Sequence, residues 1–86
     1  MPEWVLLTKA GCAGCDDMKE MLMLNGVGQE MVLVLSVDTV DGLAWAAFAE
    51  RVGQPVPVLV NARSGEVYDD LAVIADIFNG FDSRLI

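Results

Sequence analysis

The two cysteines are the side chains of this chain best suited to chemistry, because its 86 residues include no histidine. Cys12 and Cys15 are separated by Ala13 and Gly14. A thiolate that attacks a disulfide forms a mixed disulfide, and a second thiol nearby then displaces the product. Two cysteines at this spacing can carry out both steps. The absence of histidine excludes cysteine–histidine and serine–histidine catalysis, and also metal sites that use imidazole.

The pattern around the cysteines predicts which of them attacks. The apolar run Trp4–Thr8 is typical of a buried strand, and a helical pattern begins at Cys12 or Ala13 and continues to about Asn25. At a helix N-terminus, free backbone N–H groups and the helix dipole favour a thiolate. We therefore predict that Cys12 is the nucleophile. Cys15, one turn later and further inside, is the predicted resolving thiol.

The middle of the chain predicts one more strand and one more helix. The aliphatic run at 31–37 has no polar alternation, so we expect a central strand covered on both faces. The run from Leu43 to Val52 predicts a helix. Four of its side chains are predicted to face inward: Trp45, Phe48, Ala49 and Val52.

The C-terminal third predicts a hairpin and a last helix. Strand patterns at 56–60 and 66–68 flank a turn at 61–65. Asp69 or Asp70 is expected to cap a helix that ends at about Phe78, because Asn79-Gly80 is a typical stop. Leu71, Ile74 and Phe78 are predicted to share its inward face. Residues 81–86 are expected to form a short tail.

Composition limits the kinds of partner. The length fits one domain, and the net charge of −8 disfavours nucleic acid, which binds clustered basic residues. No apolar run approaches the roughly 20 residues of a membrane helix, so we expect no membrane partner. The first residues lack the basic start and cleavage site of a signal peptide. We therefore predict a cytoplasmic protein. We also expect it to be a monomer.

Three segments resemble the glutaredoxins, members of the thioredoxin superfamily. The segment 8–15 is similar to the glutaredoxin active site, with Lys9 three positions before Cys12. Val56-Pro57 resembles the superfamily's Val-Pro, and Asp69-Asp70 resembles the acidic pair that opens the last helix. Small bacterial glutaredoxin-like proteins and the short redoxins that reduce ribonucleotide reductase are also similar. The resemblance implies one α/β domain, residues 1–86, with the thioredoxin fold: element order βαβαββα and a four-stranded mixed sheet with flanking helices.

The resemblance also implies roles for site residues. A cis Pro57 would face the cysteines and present the backbone of Val56 to an incoming disulfide. Lys9 would bind the glycyl carboxylate of glutathione and favour the Cys12 thiolate, and Asp69 and Asp70 would meet its amino end. The residue types alone also allow Lys9 to be merely solvated and the two aspartates to be helix caps.

The function predicted on this basis is reduction of protein disulfides or glutathione mixed disulfides. The expected partners are a disulfide-containing protein or glutathione, and a reductase; no cofactor or metal is expected to be bound, with glutathione as a co-substrate. Ala13-Gly14 stands where glutaredoxins usually hold Pro-Tyr and thioredoxin holds Gly-Pro. Two alternatives remain: a redox-sensing or partner-binding module without turnover, and a metal site bridged across a dimer.

Overall fold

Strands and helices alternate along the chain in a computed structural model that describes residues 2–82. The elements are β1 (Trp4–Thr8), α1 (Ala13–Leu24), β2 (Val32–Ser36), α2 (Val40–Phe48), β3 (Val58–Asn61), β4 (Val67–Tyr68) and α3 (Leu71–Asp82). The predicted order of strands and helices is confirmed. So is a small α/β architecture with a four-stranded mixed sheet and three helices.

The sheet has the strand order β2-β1-β3-β4. β1 runs parallel to β2 and antiparallel to β3, and β3 pairs antiparallel with β4. β1 therefore lies in the interior, and its residues 5–8 are buried. The prediction that the strand at 31–37 is central was wrong, because β2 pairs with β1 alone and forms an edge of the sheet.

β2 is apolar because helices partly cover both of its faces, not because it is central. Val32 and Val34 pack in the cluster formed with α1 and α3. Leu33 and Leu35 pack on the opposite side, in the cluster that includes α2. A strand covered on both faces is apolar throughout, whether it is central or at an edge.

The helices form one layer on each face of the sheet. α1 and α3 cover one face, and α2 covers the other. The first layer is built from Met18, Leu22, Ile74 and Phe78 around Leu6 and Leu59. Ala46 of α2 packs in the second layer with Val5, Leu7, Val58 and Val60. The inward positions predicted for Ile74 and Phe78 are confirmed, whereas Leu71 is exposed.

α2 begins three residues earlier than predicted and shows a different face to the sheet. Thr39 caps it, since its Oγ1 accepts a hydrogen bond from Gly42 N–H at 3.1 Å. Gly42 and Ala46 face the sheet, and an added Cβ at Gly42 would collide with the carbonyl oxygen of Ser36. Phe48 and Val52 were predicted to face inward, but they are 61% and 55% exposed. The small residues Gly42 and Ala46 allow α2 to approach the sheet closely, so large side chains such as Phe48 lie away from the sheet.

α2 ends in a left-handed turn that the sequence pattern did not predict. Glu50 has φ 58°, a conformation usually reserved for glycine. Its N–H donates to Ala47 O at 3.1 Å, and Arg51 N–H donates to Ala46 O at 2.7 Å. These two bonds satisfy the last carbonyls of the helix and turn the chain. The predicted extension to Val52 was therefore wrong.

The ends of the other two helices differ in how well they were predicted. Gly26 stops α1 as expected, with φ 68° and a hydrogen bond from Val27 N–H to Leu22 O at 2.9 Å. Asn79-Gly80 does not stop α3, which continues through Asp82. A glycine that keeps right-handed dihedrals costs a helix only about 1 kcal/mol. Residues 83–86 of the predicted tail lie outside the described residues. Within residues 2–82, no helix is long and apolar enough to cross a membrane.

Candidate functional site

Cys12 occupies the N-cap position of α1, directly after a turn at Gly11, whose φ is 75°. Cys12 itself is extended, with φ −97° and ψ 109°. The backbone N–H of Cys15 donates to Cys12 Sγ at 3.0 Å. Cys12 thus caps the helix with a sulfur atom, where N-caps usually offer oxygen. The predicted helix start beside Cys12 is confirmed.

The two cysteines are joined by a disulfide and differ in exposure. Cys15 is 0% exposed, whereas Cys12 is only partly buried. Cys15 lies on the inward face of α1 together with Met18 and Leu22. An external reagent therefore has some access to Cys12 and none to Cys15. The predicted deeper position of Cys15 is confirmed.

Pro57 and Val56 lie against the start of α1. The Val56–Pro57 peptide bond is cis, as the resemblance implied. The carbonyl oxygen of Val56 lies 3.5 Å from Cys12 Sγ. A Cβ added to Gly14 would lie 3.3 Å from Pro57 Cδ and 3.5 Å from Leu71 Cδ1. The glycine between the cysteines therefore eases a tight approach of α1 to Pro57, whereas Leu71 lies at an ordinary contact distance.

A cavity of about 370 Å³ opens beside this contact. Its wall combines one residue of α1, the loop before β3 and the start of α3. The lining residues are Gly14, Arg51, Gln54, Pro55, Val56, Pro57, Asp69 and Leu71. Three of the predicted site residues, Val56, Pro57 and Asp69, are thus brought together.

The two aspartates predicted to bind substrate have different partners. Asp69 Oδ2 accepts a hydrogen bond from Arg51 Nη1 at 3.1 Å in an ion pair at the cavity wall. Asp70 Oδ1 accepts from Ala72 N–H at 2.9 Å and so caps α3. The alternative that one aspartate is a helix cap is confirmed for Asp70. Asp69 meets the cavity, and Asp70 does not line it.

Lys9 lines a second cavity of about 250 Å³, which Val56 also lines. This cavity also contains Leu43, Arg51 and Val52. Lys9 is exposed, and its cavity shares Val56 and Arg51 with the first one. Lys9 and Arg51 therefore place two positive charges in the cavity beside Val56, and Arg51 also lines the first cavity.

The sequence pattern missed Arg51 and Leu71 as site residues. Arg51 reaches the site because the chain turns at Glu50, and a glutamate gives no signal for a left-handed turn. Leu71 was predicted to face inward with Ile74, yet it is exposed beside Gly14. The close approach of Gly14 is a tertiary contact with no local signature.

One further cavity of the described residues lies apart from the cysteines. A larger cavity of about 460 Å³ is lined by Pro2, Glu3, Trp45, Ala62 and Arg63. The two smaller cavities, unlike this one, are lined by Val56, whose carbonyl oxygen lies 3.5 Å from Cys12 Sγ, so we place the candidate site there. Among residues 2–82, no group of three or more histidine, cysteine, aspartate or glutamate side chains is arranged to hold a metal ion. A metal shared between two chains stays an untested prediction.

No protein family, curated protein or solved structure matches this chain in comparisons with known proteins. Function is therefore inferred from the geometry around Cys12 and from the physical chemistry of thiols. In that geometry the sulfur of Cys12 caps α1, Cys15 is fully buried, and the Val56 carbonyl oxygen lies beside Cys12 Sγ.

Proposed function

We propose that this chain is a thiol–disulfide oxidoreductase in which Cys12 attacks and Cys15 resolves. The observation that carries the proposal is the position of Cys12 Sγ, which caps α1 and accepts the Cys15 N–H at 3.0 Å. A helix N-terminus stabilises a thiolate at that place. The disulfide between the cysteines supports the same proposal, because such an enzyme passes through this oxidised form in each reaction cycle.

The proposed reaction moves two electrons. The Cys12 thiolate attacks one sulfur of a substrate disulfide, that S–S bond breaks, and the other substrate sulfur leaves as a thiolate that takes up a proton. The Cys15 thiol loses its proton and attacks Cys12 Sγ. The mixed disulfide breaks, and the second substrate thiol is released. The substrate has then gained two electrons and two protons, and the Cys12–Cys15 disulfide has formed.

Binding groups beside the sulfur suit an extended substrate. Val56 lines both cavities, and its backbone is the proposed pairing site for the backbone of an incoming chain. Lys9 and Arg51 offer positive charge to a carboxylate, as in glutathione. Asp69 and Asp70 are the proposed contacts of its amino end, and Asp69 must share its carboxylate with Arg51.

We assign the chain to the thioredoxin fold and to a glutaredoxin-like group within it. The mixed sheet with α1 and α3 on one face and α2 on the other supports this assignment. The reductant of the Cys12–Cys15 disulfide is then either glutathione or a flavoprotein reductase with NADPH. The proposed compartment is the reducing cytoplasm, where a catalytic disulfide is transient.

Reduction of insulin and of 2-hydroxyethyl disulfide tests the proposal. We expect the wild-type chain to reduce both, and Cys12→Ser to reduce neither. Cys15→Ser should accumulate a mixed disulfide through Cys12, visible by non-reducing electrophoresis and mass spectrometry. If neither glutathione nor a flavoprotein reductase opens the Cys12–Cys15 disulfide, the reductase assignment is wrong.

The same variants separate the two alternatives. A redox-sensing or partner-binding module would keep its partner after Cys12→Ser, although all disulfide reduction is lost. A metal site bridged across a dimer would yield stoichiometric zinc or iron in anaerobically purified protein. The matched control is Cys12→Ser with Cys15→Ser, which removes both thiolate ligands.

A further inference from the structure

The outward face of α2 is apolar, although it is exposed. The exposed fractions are 85% for Val40, 50% for Leu43 and 61% for Phe48, and the alanines between them add no polar group. The only charged residue of the helix is Asp41. A helix that is hydrophobic on all sides is expected to be buried. α2 buries one side only, so its other side is suited to a partner.

These exposed side chains add little to the core of the protein. The side of α2 that meets the sheet consists of small residues, Gly42 and Ala46. Phe48 is held in place on the surface by Trp45, with ring centroids 5.5 Å apart and an edge-on angle of 81°. A ring fixed in this way loses little conformational freedom when a partner covers it.

One edge of the apolar surface reaches the candidate site. We call Val40, Leu43, Phe48 and Val52 the α2 face. Leu43 and Val52 line the cavity that also contains Lys9 and Val56. The Val56 carbonyl is 3.5 Å from Cys12 Sγ. A molecule whose disulfide lies at Cys12 can therefore also contact the α2 face, provided that it is larger than glutathione.

The size and charge of the surface favour a transient protein partner over a second copy of this chain. A stable dimer buries roughly 800 Å² of surface on each partner. The four side chains of the α2 face offer less area than that. Transient redox complexes have the smallest interfaces. Each copy carries a net charge of −8, and Asp38, Asp41 and Glu50 are exposed near the α2 face. Two copies would bring like charges together.

We propose that the α2 face docks the protein whose disulfide Cys12 reduces. This inference rests on the proposed function and adds a substrate class to it: a polypeptide with apolar side chains near its disulfide. The docking contact raises the rate for protein disulfides and leaves small disulfides unaffected, because a small disulfide does not reach α2.

The test compares two double variants with two probes. Val40→Gln with Phe48→Gln removes apolar groups from the α2 face. Met23→Gln with Leu24→Gln is the matched control, since those side chains are 75% and 78% exposed at the far end of α1. With dithiothreitol as reductant, we expect kcat/KM for insulin to fall about tenfold in the first variant only. For 2-hydroxyethyl disulfide, both variants should stay within twofold of wild type.

Three other outcomes would overturn the docking inference, and the third would overturn the proposed function as well. Equal insulin rates in the two variants overturn the docking surface but leave the oxidoreductase intact. A wild-type dimer in sedimentation velocity that the first variant dissociates means that a second copy covers the face, and this also overturns the inference. A wild type that reduces neither probe overturns the proposed function and the docking surface with it. If the first variant loses its helical circular dichroism, the single variant Val40→Gln replaces it in the test. We then expect kcat/KM for insulin to fall twofold to threefold.

Discussion

At the scale of single residues, backbone surroundings make two identical side chains chemically different. Cys12 lies outside the first turn of α1 and accepts a backbone N–H, whereas Cys15 is inside the helix and 0% exposed. The spacing of the cysteines, together with the strand pattern before them and the helical pattern that begins beside Cys12, predicted both positions. The contacts of Val56 and Arg51 with this site depend on loops whose paths the sequence does not specify.

Alkylation of the reduced protein should distinguish the two thiols. With substoichiometric iodoacetamide at neutral pH, we expect Cys12 to be modified at least about tenfold faster than Cys15, because Cys12 is accessible and favoured as a thiolate. Peptide mass spectrometry measures the two rates. Cys15→Ser should keep the fast modification and Cys12→Ser should lose it. Faster modification of Cys15 would contradict the assignment of nucleophile and resolving thiol.

At the scale of elements, α2 differs most from its prediction. Its sequence is apolar on all sides, so the hydrophobic pattern alone could not show which side meets the sheet. Close approach decides the question, because Gly42 is the position where a Cβ would collide with Ser36. The end of the helix is equally unmarked, since Glu50 adopts the left-handed conformation. In contrast, Gly26 has the expected residue type and ends α1 as predicted.

Glu50→Gly should stabilise the protein by roughly 0.5–1 kcal/mol. Glycine relieves the strain of a left-handed residue, about 1–2 kcal/mol, and this exceeds the added entropy of the unfolded chain. The matched control is Glu20→Gly inside α1, where the same replacement should destabilise by about 0.5–1 kcal/mol. Urea unfolding monitored by circular dichroism measures both. Equal destabilisation by the two changes would show that the turn at Glu50 is not strained.

At the scale of the whole molecule, two separate apolar clusters hold the helices to the sheet. The cluster below α1 and α3 includes Ile74 and Phe78, both 0% exposed. It fixes α3 and therefore the position of Leu71 beside Gly14. A domain of this size has a small margin of stability, so a single large cavity removes much of it.

Phe78→Ala should cost about 3–5 kcal/mol of unfolding free energy, because it removes a fully buried ring. The same change at exposed Phe48 should cost about 1 kcal/mol, mostly from the ring contact with Trp45. Denaturant unfolding of both variants gives the comparison. A loss at Phe78 as small as that at Phe48 would contradict the assigned core.

The sequence by itself determined the local features of this protein: the cysteine spacing, the start of α1, the order of strands and helices, and the end of α1 at Gly26. Each of these depends on residues close together in the chain. Only the tertiary structure decided that β2 is an edge strand, that Phe48 is exposed, and that Arg51 meets Asp69. These three depend on how distant elements pair and how closely they approach, and hydrophobic pattern does not encode either.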